Sequence, residues 1–93
     1  MRFRAKVDRN QSEIVQALRD IGCSVQSLAA LGKGVPDLLV GRRGRNWLME
    51  VKDGKSSPSK RKLTEDEESW HAHWQGNVTT VSSIEEAIQV VQL

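Results

Sequence analysis

The stretch from Pro36 to Lys52 constrains this chain more than any other. Two apolar runs, Pro36–Val40 and Trp47–Lys52, flank the link Gly41-Arg42-Arg43-Gly44-Arg45-Asn46, which is rich in turn formers and strongly basic. Short apolar runs bounded by glycine read as strands, and two of them this close read as a β-hairpin. A turn centred on Arg43-Gly44 sets Val40 opposite Trp47 and Asp37 opposite Glu50. Directly opposed residues project to the same face with Cβ atoms roughly 5 Å apart, and alternation along the strand adds Lys52 to that face. The hairpin therefore predicts Asp37, Glu50 and Lys52 as one cluster among apolar neighbours, where charge is costly unless paired or metal-bound. Two readings follow from the residues. One is an Asp37–Lys52 or Glu50–Lys52 ion pair on a solvated sheet face. The other is a pair of carboxylates converging on a hard divalent cation, since Mg2+ takes oxygen ligands and usually only one or two protein carboxylates.

The rest of the chain builds one small domain around this hairpin. Residues 1–9 are basic (Arg2, Arg4, Lys6, Arg9) with little apolar content and read as an arm, leaving residues 10–93 as a single domain. Asn10 with Glu13 has the spacing of a helix capping box, and Ile14, Ala17, Leu18 and Ile21 follow at helical spacing before Gly22. Residues 23–29 predict a first strand, and Gly32 and Gly34 put a loop at 30–35. After a polar, basic loop at 53–62, Thr64 and Glu67 form a second capping box, with acids crowding the first turn of a helix that runs to about Gln75. Val78–Val81 is a short strand, and Ser83 with Glu86 opens a last helix. The order α-β-β-β-α-β-α predicts an α/β fold, with a small mixed sheet flanked by helices.

Charge narrows the function classes. All 14 Lys and Arg lie in residues 1–62 with six of the 12 acids; residues 63–93 hold the other six acids and no Lys or Arg. A basic first part suggests a polyanionic partner. No apolar run approaches the ~20 residues of a membrane span, and no apolar signal segment follows Met1, so the expected location is the cytoplasm. Cys23 is the only cysteine, which excludes an intrachain disulfide and a cysteine-rich zinc site.

The pattern Gly34-Val35-Pro36-Asp37, then twelve residues, then Glu50-Val51-Lys52 resembles the Pro-Asp…(Asp/Glu)-x-Lys signature of the PD-(D/E)XK nucleases. The runs 34–41 and 48–54, with Lys62-Leu63-Thr64 and Trp70-His71, look like a compact VRR-Nuc protein, a subfamily common in bacteriophage genomes. The resemblance spans roughly residues 9–91 and implies a restriction-endonuclease-like αβββαβ core plus a C-terminal helix. It favours the metal reading over the ion pair. It implies Asp37 and Glu50 as metal ligands, the Val51 backbone carbonyl as a further one, and Mg2+ or Mn2+ as cofactor. Lys52 would serve the attacking water and the scissile phosphate. Glu13 matches the family's acid on the first helix, though a simple capping role is the alternative. Arg42, Arg43, Arg45, Lys55, Lys60, Arg61 and Lys62 are the expected phosphate contacts.

The implied activity is a structure-selective DNA endonuclease acting on branched DNA such as Holliday junctions, as a homodimer in a bacterial cytoplasm. Other expectations stay beside it: a nuclease for flap, splayed or linear DNA, a non-catalytic nucleic-acid-binding module on the same fold, or a partner-binding protein using its acidic helices. One departure stands out. Family members often carry Gln in the second helix where this chain has Glu67; the acid there adds a metal or water contact or serves as the Thr64 cap, and the box spacing favours the cap. Trp70 and Trp74 read as packing residues for the core or a dimer, His71 and His73 as structural or surface residues, and Cys23 as a small buried residue.

Overall fold

The structure, a computed structural model, describes residues 4–54 and 62–92. Its elements are α1 (Arg4–Asp20), β1 (Ser24–Ser27), a 3-10 turn at Ala29–Leu31, β2 (Leu38–Arg42), β3 (Arg45–Val51), α2 (Glu65–His73), β4 (Val78–Val81) and α3 (Ile84–Gln92). The four strands form one sheet in the order β1-β2-β3-β4. Pairing is antiparallel across β1–β2 and β2–β3 and parallel across β3–β4. The parallel step needs a crossover, and α2 supplies it. This is the expected small mixed sheet flanked by helices.

The hairpin pairs in the predicted register, with Val40 opposite Trp47 and Arg42 opposite Arg45. Arg43 at φ 51° and Gly44 at φ 80° form its turn. Two successive positive φ values match the right-handed twist of the flanking strands. β2 starts two residues later than expected, at Leu38. Pro36 has no N–H to give a ladder, and Asp37 stays just outside it, with its carbonyl accepting the Leu28 N–H at 2.8 Å.

One face of the sheet makes the core. Leu38, Val40, Trp47, Met49 and Val81 pack against Ile14 and Leu18 of α1 and Ala87 and Val91 of α3. α1 ends where expected. Gly22 at φ 96° lets its own N–H reach Arg19 O and the Cys23 N–H reach Leu18 O, capping two open carbonyls. Its start corrects the sequence reading: α1 begins at Arg4, so residues 4–9 are helical and not an arm. Arg, Ala and Lys are good helix formers, and nothing at Asn10 interrupts them. Residues 1–3 lie outside the described residues.

α2 carries the predicted capping box of Thr64 and Glu67 and ends at His73. In α3 the box is displaced: Ser83 Oγ accepts the Glu86 N–H, while Glu86 Oε1 accepts from Ser82. Among the described residues no helix is long and apolar enough to cross a membrane.

Candidate active site

Alternation along β3 turns Leu48 and Glu50 away from the Met49 face. The sheet face opposite α1 and α3 therefore carries Glu50, which is 2% exposed and is the one buried charged residue among the described residues. Asp37 lies beside it, fixed by its Oδ2, which accepts the Val51 N–H at 2.8 Å. Lys52 is anchored at both backbone ends. Its N–H donates to Val81 O at 2.9 Å, and its carbonyl accepts from Asn10 Nδ2 at 2.9 Å. The Lys52 Nζ lies 2.8 Å from Glu67 Oε1 and 3.8 Å from Glu50 Oε2. Asp37, Glu50 and Lys52 are thus brought together, and Glu67 joins them from α2.

The electrostatics are unbalanced, because three carboxyl groups face one ammonium. Burial above all, then the neighbouring Asp37 and Glu67 charges, push the Glu50 carboxyl up to about 9. Burial works against ionisation of Glu67 too, but the Lys52 hydrogen bond, the Thr64 N–H and Glu50 outweigh it and hold its carboxyl below the usual range. Glu50 Oε1 is buried with no hydrogen-bond partner. Two ionised carboxylates cannot bond to each other, so either a proton or a cation must sit at Glu50. Hard oxygen donors, adjoining acids and one orphaned oxygen suit a small divalent ion. Among the described residues no group of three or more His, Cys, Asp or Glu side chains is arranged to hold a metal. An ion here would depend on two carboxylates with backbone and water, as Mg2+ does.

A glycine gap lets α2 reach this face. Gly34 has φ 85°, and a Cβ on it would run into the carbonyl group of Asp66 in the first turn of α2. Gly34→Ala is expected to destabilise the fold by about 2 kcal/mol, combining left-handed strain with the clash; a urea melt measures it.

Other expected residues fall elsewhere. Glu13 is exposed on α1 and makes no hydrogen bond or ion pair with Asp37, Glu50 or Lys52; Asn10, one turn earlier, touches the site through Lys52. Arg42, Arg43 and Arg45 lie at the far end of the hairpin, five residues from Asp37 along β2, or about 17 Å at the usual strand rise. Arg42 Nη1 also contacts Val91 O at 3.5 Å, and the Arg45 guanidinium lies 5.0 Å over the Trp47 ring. Lys62, just before α2, is exposed, whereas Lys55, Lys60 and Arg61 lie outside the described residues, as does most of the 53–62 loop. Cys23 is buried, and burial pushes its thiol up against a smaller lowering by Arg42, which suits packing and not nucleophilic attack.

Sequence reasoning missed Asn10 as a site contact, and for Glu67 it favoured the cap over a metal or water contact without finding the Lys52 ion pair. It favoured a structural or surface role for His71 over one at the site; this residue lies one turn along α2 from Glu67, and its Nε2 is buried without a partner. Its neighbours Trp70 and Trp74 stack with ring centroids 4.6 Å apart, and Trp74 stays 47% exposed.

The chain is similar in structure to a solved protein described as a VRR-Nuc domain, with a TM-score of 0.60 and 31% sequence identity over 94% of this chain and 95% of that one. No family model matches the chain, and no curated protein does.

Proposed function

This chain belongs to the VRR-Nuc family and is a nuclease-type domain, and on that premise we propose that it is a metal-dependent endonuclease hydrolysing phosphodiester bonds of branched DNA such as Holliday junctions. The observation that supports this best is the buried Glu50 carboxyl, with one unpartnered oxygen, set between Asp37 and Lys52. Asp37, Glu50 and the Val51 carbonyl would hold Mg2+ or Mn2+. Such an ion would supply a nucleophilic water at neutral pH and neutralise transition-state charge. Lys52 orients that water and offsets charge on the scissile phosphate. Glu13, exposed and out of contact with these groups, receives no ligand role. Lys62 and its basic neighbours, with the arginines at the hairpin tip, grip phosphates, so binding weakens steeply with salt.

A homodimer completes the proposal. Leu31 is 62% exposed, Leu39 37% and Trp74 47%, and these residues line one apolar groove with Trp70 on the site face of the sheet. Clustered apolar surface marks an interaction site, and a twofold pairing of copies would set two active sites on one junction. Trp74→Glu is expected to convert the dimer to monomer in light scattering at micromolar protein, with its circular dichroism unchanged.

Cleavage assays on labelled four-way junction, splayed and linear duplex DNA, with Mg2+, Mn2+ or EDTA, test the function against Asp37→Ala and Lys52→Ala. Symmetric, metal-dependent nicking of the junction, lost in both variants, is the expected result. Cutting of the other forms would keep the nuclease and remove the junction preference. Salt-sensitive binding without cleavage would leave a DNA-binding module instead.

A further inference from the structure

Glu67 does two things with one oxygen. Its Oε1 accepts the Thr64 N–H at 2.9 Å, closing the capping box, and the Lys52 ammonium at 2.8 Å. The capping bond pins that oxygen to the first turn of α2. The lysine side chain is the mobile partner, a compact charge on a flexible four-carbon stem. It has two acids within reach, and the nearer contact is Glu67, with Glu50 Oε2 at 3.8 Å. A shift of about 1 Å would turn the Glu50 approach into a direct charge-assisted bond. An ammonium bonded there would compete with any cation for the same carboxyl.

We infer that Glu67 is a positioning residue that draws the Lys52 ammonium off Glu50, leaving the Glu50 carboxyl open to a divalent cation. The inference rests on the nuclease reading above and concerns the metal site of that reaction. Glu67 acts through Lys52 and is not itself a ligand. What the role requires is a fixed acceptor oxygen, which glutamine also supplies. A ligand role would instead require the negative charge.

Mn2+ binding to the full chain, followed by calorimetry and by the electron paramagnetic resonance of free Mn2+, separates these roles without relying on turnover. Glu67→Ala is expected to weaken Mn2+ binding about tenfold, the usual scale for losing a residue that orients a metal ligand. Glu67→Gln should stay within about threefold of wild type, because its Oε1 still accepts from Lys52. Thr64→Ala, which removes the hydroxyl cap alone, should lower the melting temperature and leave Mn2+ affinity unchanged. Removing Lys52 should strengthen Mn2+ binding more in the Glu67→Ala background than in wild type, since there the ammonium is the competitor. Equal Mn2+ affinity in Glu67→Ala and wild type overturns the inference alone. Equal loss in Glu67→Gln and Glu67→Ala overturns it in favour of a charged ligand. A wild-type chain that neither binds Mn2+ nor cleaves DNA overturns the nuclease reading and this inference with it.

Discussion

Asp37→Asn is expected to lower metal-dependent cleavage on the order of 10^3-fold, the scale for removing a group that stabilises the transition state electrostatically, while leaving the fold intact. The separation comes from how Asp37 is held. Its Oδ2 accepts the Val51 N–H at 2.8 Å, tying the residue before β2 to the end of β3. Asparagine keeps a carbonyl oxygen for that bond and removes only the charge. Asp37→Ala removes both, so it should lose the same activity and an additional 1 kcal/mol or so of stability from the freed backbone donor. Cleavage rates paired with urea melts of the two variants check this. If Asp37→Asn cleaved at the wild-type rate, Asp37 would be a structural anchor and not part of the chemistry.

Glu50 sets the second large effect. With its folded value pushed up to about 9 from an ordinary 4.5, the native protein keeps a proton that the unfolded chain gives up across that interval. The unfolded state binds fewer protons there, so stability falls as pH rises from the lower value through the higher one. Glu67 has the opposite sign. Its lowered value adds stability above the ordinary carboxylate range that is lost on acidification. The metal-free protein should therefore be most stable near about pH 5 and lose about 2 kcal/mol or more by pH 9, the scale for a buried charge without a partner. Mg2+ should reverse the loss at pH 8, because it binds only the folded state. Glu50→Gln should flatten the profile, raise the melting temperature in EDTA at pH 8, abolish the response to Mg2+ and end cleavage. Thermal melts from pH 5 to 9 with and without EDTA measure all of this. A flat wild-type profile would mean that Glu50 ionises freely in the fold.

The hairpin register was legible because two independent signals agreed. The Arg43-Gly44 turn fixed the pairing, and the apolar alternation fixed the faces, so Asp37, Glu50 and Lys52 came out on one side. The α2 cap was equally plain, since Thr64 and Glu67 are local partners. What the sequence hid were contacts decided by packing. The start of α1 carries no stop signal between Arg4 and Asn10, because every residue there tolerates a helix. Asn10 looked like a cap, yet its amide reaches the Lys52 carbonyl across 42 residues. Glu67 looked complete within its box. Its second partner depends on where α2 comes to rest, and that is set by the missing side chain of Gly34 beneath Asp66. Spacing left a divalent cation and an ion pair as equal readings of Asp37, Glu50 and Lys52, and charge suggested only a polyanion; the family resemblance was what favoured the metal and DNA.

α2 has no fully buried side chain, in contrast to α1 and α3, which the core holds. What holds its first turn is the Thr64–Glu67 capping box, the ion pair to Lys52 and the glycine gap beneath it. Local opening costs least where few apolar contacts must break. Amide hydrogens of α2 should thus exchange with solvent faster than those of α1, and should slow when the charges around Lys52 are rearranged by a bound cation. On the metal reading, the exchange rate of this helix would report cation occupancy at Glu50 without any substrate.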